Sequence, residues 1–456
     1  MEDFPIPSIR LARTELPAHS SGVSSLIRQS GPFAHRNARL FVWFRVLYNA
    51  RAYYPILAIF FTDLGLTLDQ FVMLNFIWAA AIFLLEVPSG ALADTLGRKR
   101  LLVIAAILMV VEMTLLLIAP KDGGWLLLFL CGLNRFLSGT SEAAASGADE
   151  ALAYDSLPEE GRESAWDEVL STMMRWQATG FILAMTLGSL LYDPSWFNRL
   201  LPEHLQLSTN LAHRLPIALV CLQSLLCLAI TLRLAEEPPS KDGNSSQKCR
   251  EAFRLTLRTA KYAFTTRRIA AVIIAGLLID SVIRNFATIN SEYYRLIDVP
   301  EWAFGIVGSL IAVGTWFVPT IAKRINHRFP PLITLAIAAA ITIVGLFALA
   351  PSWPWFGLIP TVLLMCLMSL VGFTVGRFLH SVADSSQRAT LLSVKGLAFN
   401  LGYGAYSLGF SLLIANLRNR SENDIILPEA LLWQAVIVTG VMLAYFLWAM
   451  RKRNDA

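Results

Sequence analysis

Charge is scarce in this chain. Only 16% of its 456 residues are charged, 55% are hydrophobic and the mean hydropathy is +0.55, whereas soluble domains carry ~25% charge. That balance excludes an ordinary soluble globule. Cysteine is scarce too. Cys131, Cys221, Cys227, Cys249 and Cys366 form no CxxC pair, and four of them lie in apolar runs, so neither a disulfide framework nor a thiolate metal site is expected. The histidines, His19, His35, His204, His213, His327 and His380, fall in tails, loops or the edges of apolar runs. HExxH, GxSxG and Walker A patterns are lacking, which leaves no enzyme chemistry to assign and no direct use of ATP. No cofactor or metal is expected. No apolar stretch precedes Phe41, so no cleaved signal peptide is expected either.

What the chain has in abundance is long apolar runs. A helical span needs ~20 apolar residues. About a dozen such runs occur, at 40–62, 71–93, 101–119, 125–149, 169–192, 215–234, 269–293, 303–322, 332–350, 355–377, 389–416 and 431–450. Hydrocarbon tolerates helices because every backbone group pairs within the segment. The expected fold class is therefore all-α integral membrane with 12 transmembrane helices.

Between the sixth and seventh runs lies a polar stretch, "EEPPSKDGNSSQKCREAFRLTLRTAKYAFTTRR". It opens as a linker and turns amphipathic from Arg250. Phe253, Leu257 and Phe264 share one flank, with Arg254, Arg258 and Lys261 around it, as in a helix lying on a membrane surface. The linker divides the chain into a tail (1–39), a first six-helix bundle (40–234), a linker with its amphipathic helix (235–268), a second six-helix bundle (269–450) and a short tail (451–456). Lys and Arg gather beside the N-terminus, the linker and the even-numbered turns. The opposite side holds only Lys121, Arg199, Arg214, Arg295, Arg418 and Arg420. That bias places both termini in the cytoplasm. The basic pI near 9.0 follows from this topology and does not imply nucleic acid.

One turn is sharply patterned. The second run ends in "EVPSGALADTLGRKR". Gly97 suits a tight reversal, Gly90 suits close helix approach, and Arg98, Lys99 and Arg100 hold the turn on the cytoplasmic side. Asp94 is placed to pair with Arg98 or with the positive end of a nearby helix. Gly90, Leu92, Ala93, Asp94, Gly97, Arg98, Lys99 and Arg100 together resemble the signature loop between helices two and three of the major facilitator superfamily. Thr95 departs from it, standing where the family usually has arginine. The resemblance implies two six-helix bundles around a central cavity. It also implies a conformational latch in which Asp94 and Arg98 meet helices four and eleven, with Asp149 as the acidic partner and the segment from Arg388 as the other helix end. Glu86, in register with Gly90 and Asp94, joins that group. Within the fourth run, Arg135, Gly139 and the small residues resemble the family's helix-four arginine motif, with Glu142 as a departure. The glycine-proline motif that many drug–proton antiporters of the family carry in helix five is absent, although Gly180 and Gly188 are present.

Ionisable residues inside the apolar runs are costly and mark function or ion pairing. Arg51 lies in the first run, Glu112 in the third, Arg135 and Glu142 in the fourth, and Asp280 and Arg284 in the seventh. Arg135, Glu142 and Asp149 are seven apart and so share one helical face. Two readings stand. Glu112, Glu142 and Asp280 carry protons while Arg51 and Arg135 bind an anionic substrate group or modulate those acids, with Arg284 on one face with Asp280 in the same pathway, or the set consists of structural salt bridges. The expected function is secondary active transport of a small amphipathic solute by alternating access, proton-coupled and in the direction of efflux. The expected carrier is a monomer in a lipid bilayer, most simply a bacterial plasma membrane. The alternative is a protein of the same fold without active transport, either a receptor or a lipid scramblase.

Overall fold

The computed structural model describes residues 31–199, 202–235, 245–383, 388–420 and 426–454, and within them all side chains except those of 94–95, 245–249, 389, 450 and 452–454. The residues before 31, the Pro/Ser-rich part of the linker and the side chains of Asp94 and Cys249 lie outside that description. All regular structure among the described residues is helical.

The first set of helices comprises α1 (Arg36–Asn49), α2 (Leu57–Asp63), α3 (Leu68–Leu96), α4 (Arg98–Ile118), α5 (Trp125–Ala145), α6 (Ala148–Asp155), α7 (Arg162–Tyr192), α8 (Pro194–Asn198) and α9 (Thr209–Leu232). The linker helix is α10 (Ser245–Thr265). The second set comprises α11 (Arg267–Leu296), α12 (Phe304–Thr315), α13 (Val318–Arg328), α14 (Pro331–Leu349), α15 (Leu358–Val382), α16 (Arg388–Arg420) and α17 (Leu427–Asn454).

Eight of these helices are long and apolar enough to cross a bilayer, or nine when α12 and α13, bent by 43°, count as one broken span. The shortfall from twelve has physical causes. The first apolar run is interrupted, because α1 ends at Asn49 and the chain re-enters helix through a 3₁₀ turn, Tyr54–Ile56. Helices α5 and α7 are diluted by Asn134, Arg135 and Glu142, and by the charged turn from Arg162 to Glu168. Asn134 and Arg135 are buried against protein, where a lipid-facing span would carry leucine.

Local signals set the helix ends. The Thr67 N–H donates to Gln70 Oε1 (3.0 Å) at the start of α3, a contact that satisfies an N-terminal donor the helix itself leaves open. At the other end Gly97 adopts φ +94° and joins α3 directly to α4. Each half has its own partners, but the halves also meet. Helix α3 packs on α16, α7 on α12, and α2 on α11.

Candidate functional site

The break in the first span creates the centre of the molecule. Arg51 sits at the break and is 4% exposed. Its Nη1 donates to Glu112 Oε1 of α4 (2.8 Å), Tyr53 Oη (3.2 Å) and Ser138 Oγ of α5 (3.4 Å). Asn134 Nδ2 donates to the Glu112 carbonyl (2.8 Å), which ties α5 to the same point. The break also frees backbone groups, and side chains take them up. Gln223 of α9 donates to the Ala50 carbonyl (3.0 Å). The Ala58 and Ile59 N–H groups, at the open N-terminus of α2, donate to Ser291 Oγ of α11 (3.0 and 3.2 Å). That cap comes from the other half of the chain. The bare face of Gly188 in α7 admits the Ala52 carbonyl, since a Cβ there would lie 1.6 Å from that oxygen.

Arg135 is buried one turn nearer the Asp63 end, stacked on Phe61 (5.0 Å from Cζ to ring centre) and Phe71 (5.7 Å). Its Nε and Nη2 have no hydrogen-bond partner. Glu112 is within its electrostatic reach, and Glu112 Oε2 is likewise unpartnered. Glu142, two turns along α5, differs sharply. It is exposed, yet the charges around it are Arg51, Glu112, Arg284 and Arg45, drawn from both halves. Its exposure is therefore to an internal, water-accessible space between the halves.

In the second half Asp280 Oδ2 and Arg284 Nη2 form an ion pair (2.7 Å) along α11. Arg284 Nη1 donates to Asn400 Oδ1 of α16 (2.9 Å), and its guanidinium lies over the Tyr403 ring at 5.6 Å. Tyr403 meets Trp78 of α3 edge-to-face at 6.1 Å, across the seam between the halves. Five of the six expected pathway residues thus fall in two clusters on either side of one seam, Arg51 and Glu112 with Arg135 on one side and Asp280 with Arg284 on the other, and Glu142 lies between them.

Of the expected latch residues, Asp149 pairs with Arg45 of α1 (3.3 Å), and Arg98 pairs with Asp155, at the end of α6. Gly147, with its left-handed φ of +74°, ends α5 before α6 begins, so Arg135, Glu142 and Asp149 do not share one continuous face. Gly90 faces open space and makes no close approach. Glu86 has Glu142 as its charged neighbour, which sets it beside the internal space. The Asp94 side chain lies outside the described residues.

A second charged cluster was missed from the sequence altogether. At the end opposite Gly97, Asp63 accepts a two-pronged contact from Arg295 of α11 (2.9 and 2.8 Å) and a hydrogen bond from Tyr192 of α7 (2.5 Å). Arg295 also pairs with Glu301 (2.6 Å), and Tyr192 stacks flat on His213 at 4.1 Å. Arg418 of α16 pairs with Asp69 of α3 (2.6 Å), while Ser411 donates to the Asp69 carbonyl (2.7 Å). Ser189 donates to the Trp302 carbonyl (2.9 Å). The Asp63–Arg295, Asp69–Arg418, Asp69–Ser411 and Ser189–Trp302 contacts join the halves at this end, and Tyr192, His213 and Glu301 buttress them from within each half. The signal was present in the sequence: Arg295 and Arg418 are cations on the sparsely charged side, where topology supplies no reason for them.

Towards the Gly97 end α7 and α12 diverge around a cavity of about 1000 Å³. Arg45, Arg175, Gln177 and Asn290 are among its polar lining, and five methionines, Met173, Met174, Met185, Met365 and Met368, are prominent in its apolar lining with Phe181 and Trp316. Methionine walls are soft and adapt to different apolar shapes.

Residues 40–409 match the Major Facilitator Superfamily. Among solved structures, a mutant of the nucleoside transporter NupG superposes with a TM-score of 0.70 at 14% identity, covering 90% of this chain and 98% of that one. A bacterial homologue of the human lysosomal transporter Spinster, inward-facing and unoccupied, gives 0.60 at 15% identity over 95% and 98%. A D-xylose–proton symporter gives 0.57 at 15% identity over 92% and 97%. At these identities the likeness is one of fold. No curated protein matches the sequence.

Proposed function

Because the chain belongs to the major facilitator superfamily, we propose that it is a secondary transporter that moves a small amphipathic solute by alternating access, driven by protons, in the direction of efflux from a bacterial cytoplasm. The observation that carries this reading is an asymmetry. Contacts between the halves are dense at the Asp63 end, while a large cavity separates α7 from α12 towards the Gly97 end. With the Gly97 turn on the cytoplasmic side, the molecule is closed outside and open inside. The adaptable methionine and aromatic lining, beside Arg45 and Arg175, suits an amphipathic solute.

Glu142 is the proton carrier in this reading. Glu112 and Asp280 each have an arginine partner, whereas Glu142 is exposed to the internal space and has arginines from both halves in reach. A carboxylate so placed changes charge without dismantling a buried pair. The test uses purified protein in proteoliposomes. A thermal-shift screen against metabolites and drugs supplies ligands, and flux of the hits is followed under an imposed pH gradient. Gradient-driven accumulation is expected, abolished by a protonophore. Glu142→Gln should lose gradient-driven accumulation yet keep solute exchange at equal pH. Movement indifferent to the gradient in the parent protein would instead identify a scramblase or uniporter.

Arg135 is assigned to the transport pathway, where its two open donors and its reach to Glu112 tune the buried charges. Arg135→Ala should express and purify as the parent does while flux falls to background. Normal flux by that variant would remove Arg135 from the pathway.

A further inference from the structure

Helix α10 turns three different faces outward and inward. Thr259 and Ala263 are buried, and Ala252, Thr256 and Ala260 are half-buried. These small residues recur at three- and four-residue spacing and form the face that packs on α3 and α16. The opposite face is a strip of exposed cations, Arg250, Arg254, Arg258 and Lys261. Between the two runs an apolar flank, where Phe253 is 53%, Leu257 53% and Phe264 44% exposed. Glu251 is the only acidic residue of the helix.

Position gives the occupant. Helix α10 lies between the end of α9 and the start of α11, so it runs at the level where spans leave the bilayer on the Gly97 side. An apolar flank beside a cationic strip, at that depth, fits acyl chains on one side and phosphate headgroups on the other. Large exposed aromatics beside arginines have no such fit to water. The helix also bridges the seam, since α3 belongs to the first half and α16 to the second.

We propose that α10 is a binding surface for anionic phospholipid of the leaflet at the Gly97 end, and that lipid held there favours the open-inside state by seating α10 on α3 and α16 together. The siting of the lipid stands independently. The bias on conformation rests on the alternating-access reading. Closure at the Gly97 end shifts α3 against α16, and a helix seated on both then loses part of its seat, so headgroup contacts that hold it in place weigh on the open side of the equilibrium.

Two measurements on the full chain, in a background lacking the five native cysteines, test this. A nitroxide on Phe253→Cys reports immersion. It should be reachable by oxygen and shielded from an aqueous nickel complex in vesicles containing phosphatidylglycerol. A pair of nitroxides on Met174→Cys and Trp316→Cys spans the mouth of the cavity and reports the open and closed populations. Going from phosphatidylcholine alone to about 30 mol% phosphatidylglycerol should raise the open-to-closed ratio about fivefold, the factor expected if one headgroup contact is lost on closure. Arg250→Gln/Arg254→Gln/Arg258→Gln/Lys261→Gln should abolish that response without unfolding, because all four side chains are exposed. A Phe253 label open to the nickel complex in both vesicles would overturn the lipid site, as would a soluble acidic protein that shields it when lipid does not. An unchanged ratio, or a quadruple variant that responds like its parent, would overturn the bias. A lipid-dependent ratio in a protein that shows no solute flux would uphold this inference and sink the transport reading instead.

Discussion

Arg51→Leu should destabilise the protein by about 3–5 kcal/mol, the cost of leaving a buried charge without its partner. Arg51 is 4% exposed and Glu112 is fully buried. The substitution removes the ion pair at 2.8 Å and the donors to Tyr53 and Ser138 together. Glu112 would then hold two unpartnered oxygens, since Oε2 has no hydrogen bond even in the parent. The double variant Arg51→Leu/Glu112→Leu should recover most of the loss, because an apolar pair of similar volume carries no desolvation cost. Thermal unfolding in detergent, followed by tryptophan fluorescence, reads both. A single variant no less stable than the double would mean that the pair does not hold the centre together. The result also bears on mechanism. A pair this costly to break is a poor place to exchange protons in every cycle, which is why the transport reading places that task on Glu142.

How much of this was legible depends on the range of the interaction. The Asp280–Arg284 pair is four residues apart on one helix, and spacing alone announces it. The Arg51–Glu112 pair is 61 residues apart and joins different helices. Hydropathy revealed that each needs a partner inside the membrane, but periodicity along one helix carries no record of which neighbour it faces. The fourth apolar run reads as one helix because its small residues are all compatible with helix. The left-handed turn at Gly147 ends it, and the charges beyond fall under different partners. Gly90 and Gly188 show the same limit. Both are glycines in long apolar helices, yet Gly90 faces open space and Gly188 accommodates a passing backbone. Only the neighbour distinguishes them, and the neighbour is set by packing. The helical class was readable because apolar length is a sum over local residues. The clasp at the Asp63 end was legible only in its misplaced cations, Arg295 and Arg418, because their partners Asp63 and Asp69 sit at helix ends, where isolated acids are ordinary.

Gly305→Ala should open the clasped end without unfolding either half. Gly305 lies one residue into α12, against α7 of the other half. A Cβ there would fall 1.9 Å from the Met185 carbonyl oxygen and 2.5 Å from Ser189 Oγ. The backbone cannot withdraw as a flexible side chain does, so α7 and α12 must separate. Overpacking of this kind costs about 1–3 kcal/mol, a factor of roughly 5 to 150 in a two-state ratio. The cost falls on the state in which the helices touch, and the opposite state escapes it. Gly308 provides the control. A Cβ at Gly308 meets only the tip of Met185, at 2.3 Å from Cε, and that tip has room to rotate. Nitroxides on Trp196→Cys and Trp353→Cys, both exposed and both at the Asp63 end, would report the separation in a background without native cysteines. Gly305→Ala should move the distribution to longer distances, and Gly308→Ala should leave it close to that of the parent. Equal behaviour of the two variants, or a loss of folded protein with Gly305→Ala alone, would mean that the contact belongs to the permanent core. The bond from Ser189 to the Trp302 carbonyl and the Asp63–Arg295 clasp would then be structural ties, and the seam between α7 and α12 would not be the one that opens.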